Sequence, residues 1–295
     1  MMTTALVALG LIGIAAEKGS QRNPAPAKVA EDVDAELPSP LGGRWELTDS
    51  QRHRDFPALA MDAKGAAWLV FIEHDGKTDV LKLARKTAKG LEILATLSEP
   101  GVVHQPAIAC GADGAVWSFW GQADARQIVT LRARRFAADR LDAAFTLAAS
   151  EGSDTFADAG TDRAGRVWVV WQSLRRGQGD IFARWLDPKS QTWSKEIPIN
   201  KPEGGNWEPR LAFDRRDGAW VAFDSSRGGE FNVYLAHAGL DGRVKEQPLT
   251  GSPEYEARAS IAATKDGTGF WIAAERGRRQ WGRELRGHVG ETGLN

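Results

Sequence analysis

The chain has one cysteine, two tyrosines and three methionines in 295 residues. A single cysteine excludes an internal disulfide and any Cys-pair metal site. Cys110 lies in the apolar stretch Ile108-Ala109-Cys110, where an inert core thiol is expected. Neither charge sign is in excess, with 38 Lys and Arg against 39 Asp and Glu. That balance excludes the clustered basic footprint of a nucleic-acid binder. The chain has no P-loop, no Gly-x-Ser-x-Gly and no His-Glu-x-x-His. No cofactor and no metal are therefore expected.

Long apolar runs are also missing. Ala5–Ala16 is twelve apolar or small residues, too few to cross a bilayer but suited to the apolar region of a signal peptide. Residues 1–16 are read as that signal, although no Lys or Arg precedes the run, and the chain is expected to be secreted or periplasmic. Residues 17–43 carry Pro24, Pro26, Pro38 and Pro40 without apolar periodicity, and read as a flexible linker. Residues 44–295 form the globular part.

Tryptophan, by contrast, is abundant, with twelve in the chain. Five end a recurring segment: DAKGAAW at Trp68, GADGAVW at Trp117, DRAGRVW at Trp168, DRRDGAW at Trp220 and KDGTGFW at Trp271. The spacings are 49, 51, 52 and 51 residues. The Asp and Gly before each Trp signal a hairpin turn, since Asp bonds nearby backbone and Gly tolerates positive φ. The Val- and Trp-rich residues that follow suit a packed strand. A period of this length, with about four strands in roughly 40–50 residues, predicts a propeller blade. The fold expected is an all-β propeller of about five four-stranded blades. The fifth loses its pattern after Ala274, so the chain reads as a fragment of a larger propeller with its C-terminal end truncated, or as a ring closed by Arg44–Thr48. The tail Gly277–Asn295 is expected to be poorly ordered, with an open edge on blade five.

The repeat resembles the propellers of secreted bacterial proteins in the TolB-like and sialidase-like group. Asp62/Gly65/Trp68, Asp162/Gly165/Trp168, Trp171-Gln172-Ser173 and Asp224-Ser225-Ser226-Arg227 carry the likeness. Glu275-Arg276-Gly277 with Gln280-Trp281-Gly282 is similar to propellers that precede a metal-dependent phosphoesterase-like domain, which implies a further domain beyond Asn295. True sialidases place an Asp-box between the third and fourth strands. Here the Asp-x-x-Gly precedes strand two, and one of the only two tyrosines, Tyr234, falls inside a predicted strand.

In a blade, the approach to strand one and the loop after strand two share one rim, a concave place suited to ligands. Those positions nominate Asp55, His104, Arg175, Trp207, Glu208, Asp224, Arg227 and Glu256 as ligand-binding residues. The partner expected is a glycan or a protein, with no nucleic acid and no stable membrane span. The alternative is a glycoside hydrolase using two facing carboxylates from Glu208, Glu256, Asp55 and Asp154. A metal held by Asp55, His104 and Asp154 is not expected, because residues some 50 apart match no ligand spacing.

Overall fold

The structure, a computed structural model, describes residues 5–9 and 52–278. Every regular element among the described residues is a β-strand. The first strand, β1 (Ala5–Leu9), belongs to the last sheet. Blade one is β2 (His53–Met61), β3 (Ala67–His74), β4 (Asp79–Thr87) and β5 (Gly90–Thr96). Blade two is β6 (Val103–Cys110), β7 (Val116–Ala123), β8 (Val129–Ala137), the two-residue β9 (Arg140–Leu141) and β10 (Phe145–Ala148). Blade three is β11 (Asp154–Thr161), β12 (Val167–Ser173), β13 (Asp180–Leu186) and β14 (Ile197–Pro198). Blade four is β15 (Asn206–Ala212), β16 (Ala219–Ser225), β17 (Asn232–Ala238) and β18 (Val244–Pro248). Blade five contributes β19 (Tyr255–Ala263) and β20 (Phe270–Gly277). Neighbouring strands in each sheet run antiparallel, and the chain is a β-propeller. Pro198 and Pro248 fall in outermost strands, where a missing N–H leaves no ladder bond unmade.

The turn chemistry explains the repeat. Asp62 accepts the N–H groups of Lys64 and Ala66, each at 2.9 Å, and the Nε1–H of Trp68 at 3.0 Å. Asp162 does the same for Ala164, Arg166 and Trp168. Gly65 and Gly165 take φ of +79° and +80°, which a Cβ would oppose. One carboxylate thus closes the hairpin and pins the tryptophan head, leaving the indole ring to pack.

Alternate residues of each second strand point to opposite faces of the blade. The forward face carries the repeat Trp, and it packs on the rear face of the following blade. Trp68, Val70 and Leu83 meet Ile108, Val116 and Trp120 between blades one and two. Trp117, Phe119 and Leu131 meet Val167, Val169 and Trp171. Trp168, Val170 and Ile181 meet Ala219, Val221 and Phe223. Trp220, Ala222 and Leu235 meet Ile261, Phe270 and Ile272. Each large side chain so buried contributes about 1.5–3 kcal/mol. Cys110 sits in the first of these joints, and burial pushes its thiol up to about 12, the inert state expected.

Blade five is the incomplete one, as expected, with three strands among the described residues, but the source of the third was not foreseen. Its third place is taken by β1, which pairs with β20 from Ala5 opposite Arg276 to Leu9 opposite Ile272. Leu6-Val7-Ala8-Leu9 can form a strand as readily as a signal core, and the outer edge of β20 offers an unpaired ladder. Arg44–Thr48 and residues 279–295 lie outside the described residues, and with them the expectations placed there.

Candidate functional site

The innermost strand of every blade is interrupted at the same place. Two residues oppose one on the second strand between Asp55 and Ala58, His104 and Ala107, Thr155 and Asp158, Trp207 and Arg210, and Ala257 and Ser260. These are β-bulges, and a bulge re-aims the side chain it carries. The leading bulge residues are Phe56, Gln105, Phe156, Glu208 and Arg258. Four of them, all but Gln105, hold φ between +49° and +55°, a conformation costing a non-glycine residue on the order of 1–3 kcal/mol.

Side chains of the preceding blade help to hold the bulges. The N–H of Glu208 donates to Gln172 Oε1 at 3.3 Å, and the N–H of Arg258 donates to Asp224 Oδ2 at 2.8 Å. Gln172 and Asp224 occupy the same position in β12 and β16, four residues after the repeat Trp. Asp158 accepts the N–H of Leu211 at 2.7 Å from blade four and that of Ala159 at 2.9 Å.

At blades four and five these latches gather an ionic cluster. Asp224 is buried, and its Oδ1 has no hydrogen-bond partner. Burial first, and then the charge of Glu208, push its carboxyl up to about 7 against the pull of the Arg258 and Ala259 N–H groups. Arg258 is exposed, and its guanidinium lies 3.4 Å from both oxygens of Glu275. Glu275, Tyr255 and Glu208 all help to hold Arg258 above its ordinary value. Burial raises the Tyr255 hydroxyl, with Arg258 opposing. Burial also raises Asp158, with its two N–H donors and nearby Arg210 opposing. Asp158 lies deep in the molecule while keeping part of its own surface open.

Three aromatic rings border this cluster. Trp207 and Phe231 have centroids 5.0 Å apart, and Phe231 and Tyr255 5.4 Å. Gly205 makes room for Trp207, since a Cβ there would fall 2.0 Å from the indole. Half-buried Trp207 and Glu208 therefore share a rim with exposed Arg258.

The other nominated residues are engaged by other partners. Arg175 donates to Ser173 and Glu196 and stacks 3.9 Å over Phe182. Arg227 donates to Ser225, Asn206 and Glu246 and stacks 4.2 Å over Tyr234. Both tie the loop after strand two to the outer strands of their own blades. Asp154 is fully buried, accepts Trp171 Nε1–H at 3.2 Å and lies 3.6 Å from Arg175. Glu256 is buried and faces Arg276 at 3.7 Å. His104 is half-buried opposite Gly121, where a Cβ would stand 3.1 Å from the His104 Cβ. Asp55 is exposed and lines a cleft of about 350 Å³ with His53, Phe56, His74 and Asp79, in which Asp79 and His74 pair at 2.7 Å. This cleft is at blade one, away from the ionic cluster. It offers volume, whereas the blade four and five rim gathers the charged and aromatic side chains. No set of three His, Cys, Asp or Glu among the described residues is arranged to hold a metal.

Of the nominated residues, the structure brings Trp207, Glu208 and Asp224 together, and it sets beside them Arg258, Arg210, Asp158 and Phe231, which were not nominated. A signal was available: Pro57, Pro106 and Pro209 stand inside innermost strands, and a proline inside a strand marks a bulge.

No family model matches the chain, and no curated protein matches it. Solved structures of similar architecture include a thermostable family-43 glycoside hydrolase, 8% identical, with a TM-score of 0.48 over 79% of this chain and 92% of that one. A Hadza microbial sialidase is 11% identical, with a TM-score of 0.47 over 77% and 66%. An endo-arabinase from Bacteroides thetaiotaomicron is 14% identical, with a TM-score of 0.45 over 76% and 89%.

Proposed function

We propose that this chain is an exported propeller that binds a glycan at the rim of blades four and five. The observation carrying this reading is the file Trp207–Phe231–Tyr255 beside the charged set Glu208, Arg258 and Glu275. Aromatic faces stack on the apolar faces of sugar rings, while carboxylates and a guanidinium take up hydroxyl hydrogen bonds. The test is calorimetric titration with a panel of neutral and acidic oligosaccharides. Binding by the parent chain, lost in Trp207→Ala and Arg258→Ala but kept in Phe56→Ala, supports it. No binding to any member overturns it. N-terminal sequencing of the chain recovered from the periplasm or medium tests export. A start near Glu17 is expected, which leaves the exported chain without β1 on the edge of β20; retention inside the cell with Met1 intact counts against it.

A second reading, glycoside hydrolysis, is favoured by Asp224. A carboxyl raised by burial and a charged neighbour is a usual candidate for an acid role. Asp224 carries its proton to about pH 7 beside Glu208. Half-buried Glu208 is the carboxylate able to reach a substrate, and buried Asp224 acts as a positioning residue through it. Release of sugar from aryl glycosides, abolished in Glu208→Gln and shifted in pH profile by Asp224→Asn, would establish this reading. Tight binding without turnover would leave the binding role alone.

A further inference from the structure

The repeat Trp has one fate in four blades and another in the fifth. Trp68, Trp117, Trp168 and Trp220 are 6%, 6%, 0% and 7% exposed, whereas Trp271 is 51% exposed. The first four are covered by the rear face of the next blade. The register places Trp271 on the forward face of blade five, opposite Ala262, as Trp68 stands opposite Ala60. The rear face shows the converse. Leu59 stands opposite Leu69 as Ile108 stands opposite Ser118 and Ile261 opposite Ile272. Ile108 and Ile261 are 4% and 8% exposed, but Leu59 is 64% exposed. Met61, the counterpart of Cys110, is 58% exposed.

Four apolar joints therefore connect five blades, and among the described residues no apolar cluster joins blade five to blade one. On the forward face of blade five the large exposed apolar side chain is Trp271; on the rear face of blade one Leu59 and Met61 are exposed along the innermost strand, while Phe71 and Ala84 on the neighbouring strands are already buried. The molecule itself shows four times what a forward face fits, namely the rear face of another blade of this repeat. A second copy of the chain carries that rear face.

We propose that the forward face of blade five, around Trp271, docks on the rear face of blade one, around Leu59 and Met61, of a second copy. Such a contact is heterologous: each copy uses a different face, so copies add head to tail until a ring closes or a filament grows. The proposal does not depend on the glycan reading.

The test uses the full chain in a Cys110→Ala background, with one copy carrying Leu59→Cys, another carrying Trp271→Cys, and distinct affinity tags. A bifunctional maleimide should join the two kinds of copy when mixed, and sedimentation should show association that rises with concentration. Leu59→Lys with Met61→Lys should return the chain to a monomer while leaving its circular dichroism unchanged. Both replaced residues are exposed, so the fold does not depend on them. A chain that is monomeric at all concentrations overturns the proposal, leaving the faces for a blade of another sheet. Efficient cross-linking within one chain carrying both cysteines, with none between copies, also overturns it by showing that the ring closes on itself.

Discussion

The rim of blades one and two and the rim of blades four and five are built by the same bulge, yet they hold different chemistry. At blade one the bulge presents Phe56, and the forward-face position beside it is Ile72. At blade two the corresponding residues are Gln105 and Gly121. At blade four they are Glu208 and Asp224, and at blade five Arg258 and Glu275. The backbone device is a property of the repeat, and the chemistry of each rim comes from what two positions per blade carry on it. At blades one and two those positions are apolar or neutral. At blades four and five they are ionisable, and the charge of Glu208 adds to burial in raising the Asp224 carboxyl to about 7.

Replacing Asp224 tests this contrast with the largest expected effect. Its folded-state pKa is raised to about 7 from an ordinary value of 3.8. Between those values the folded state binds more proton than the unfolded one. Stability therefore falls as pH rises from about 4 to about 7 and levels off above. At ~1.4 kcal/mol per pH unit the loss is a few kcal/mol. Asp224→Asn keeps an acceptor for the Arg258 N–H and removes the ionisation. Its urea midpoint should exceed that of the parent chain at pH 8, and the difference should vanish near pH 4. An unchanged pH profile would show that Asp224 ionises freely.

Trp207→Ala comes next. It should weaken glycan binding by about 2 kcal/mol, the size expected of an aromatic hot spot, measured by calorimetry. Gln172→Ala should be smaller. It removes the acceptor for the Glu208 N–H, costing about 1 kcal/mol in denaturant unfolding, and it should loosen ligand binding by releasing the bulge. Phe56→Ala closes the series. The residue is exposed on the scaffold side, so stability should change by less than ~0.5 kcal/mol and glycan affinity should not change. An effect of Phe56→Ala as large as that of Trp207→Ala would erase the distinction between the two rims.

Most of the fold is legible in the residues. The Asp-x-x-Gly-x-x-Trp segment states its own turn, because carboxylate, glycine and indole lie within seven residues and meet without help from the rest of the chain. The alternation of Trp168, Val170 and Trp171 with their neighbours states two buried faces. The site is far less legible. Glu208 and Asp224 could be nominated as rim residues, but Arg175, Arg227, Asp154 and Glu256 looked equally suitable. Their engagement with Glu196, Glu246, Trp171 and Arg276 became visible only with the strands in place.

The sequence by itself determined the blade, its period and the order of its strands, because these follow from contacts between residues close along the chain. Only the tertiary structure decided that Glu208, Asp224, Arg258 and Glu275 stand together, that burial raises the Asp224 carboxyl, and that Trp271 is half exposed while Trp168 is covered. Charge coupling and desolvation depend on which distant segments share a volume, and that follows from how successive blades are set side by side.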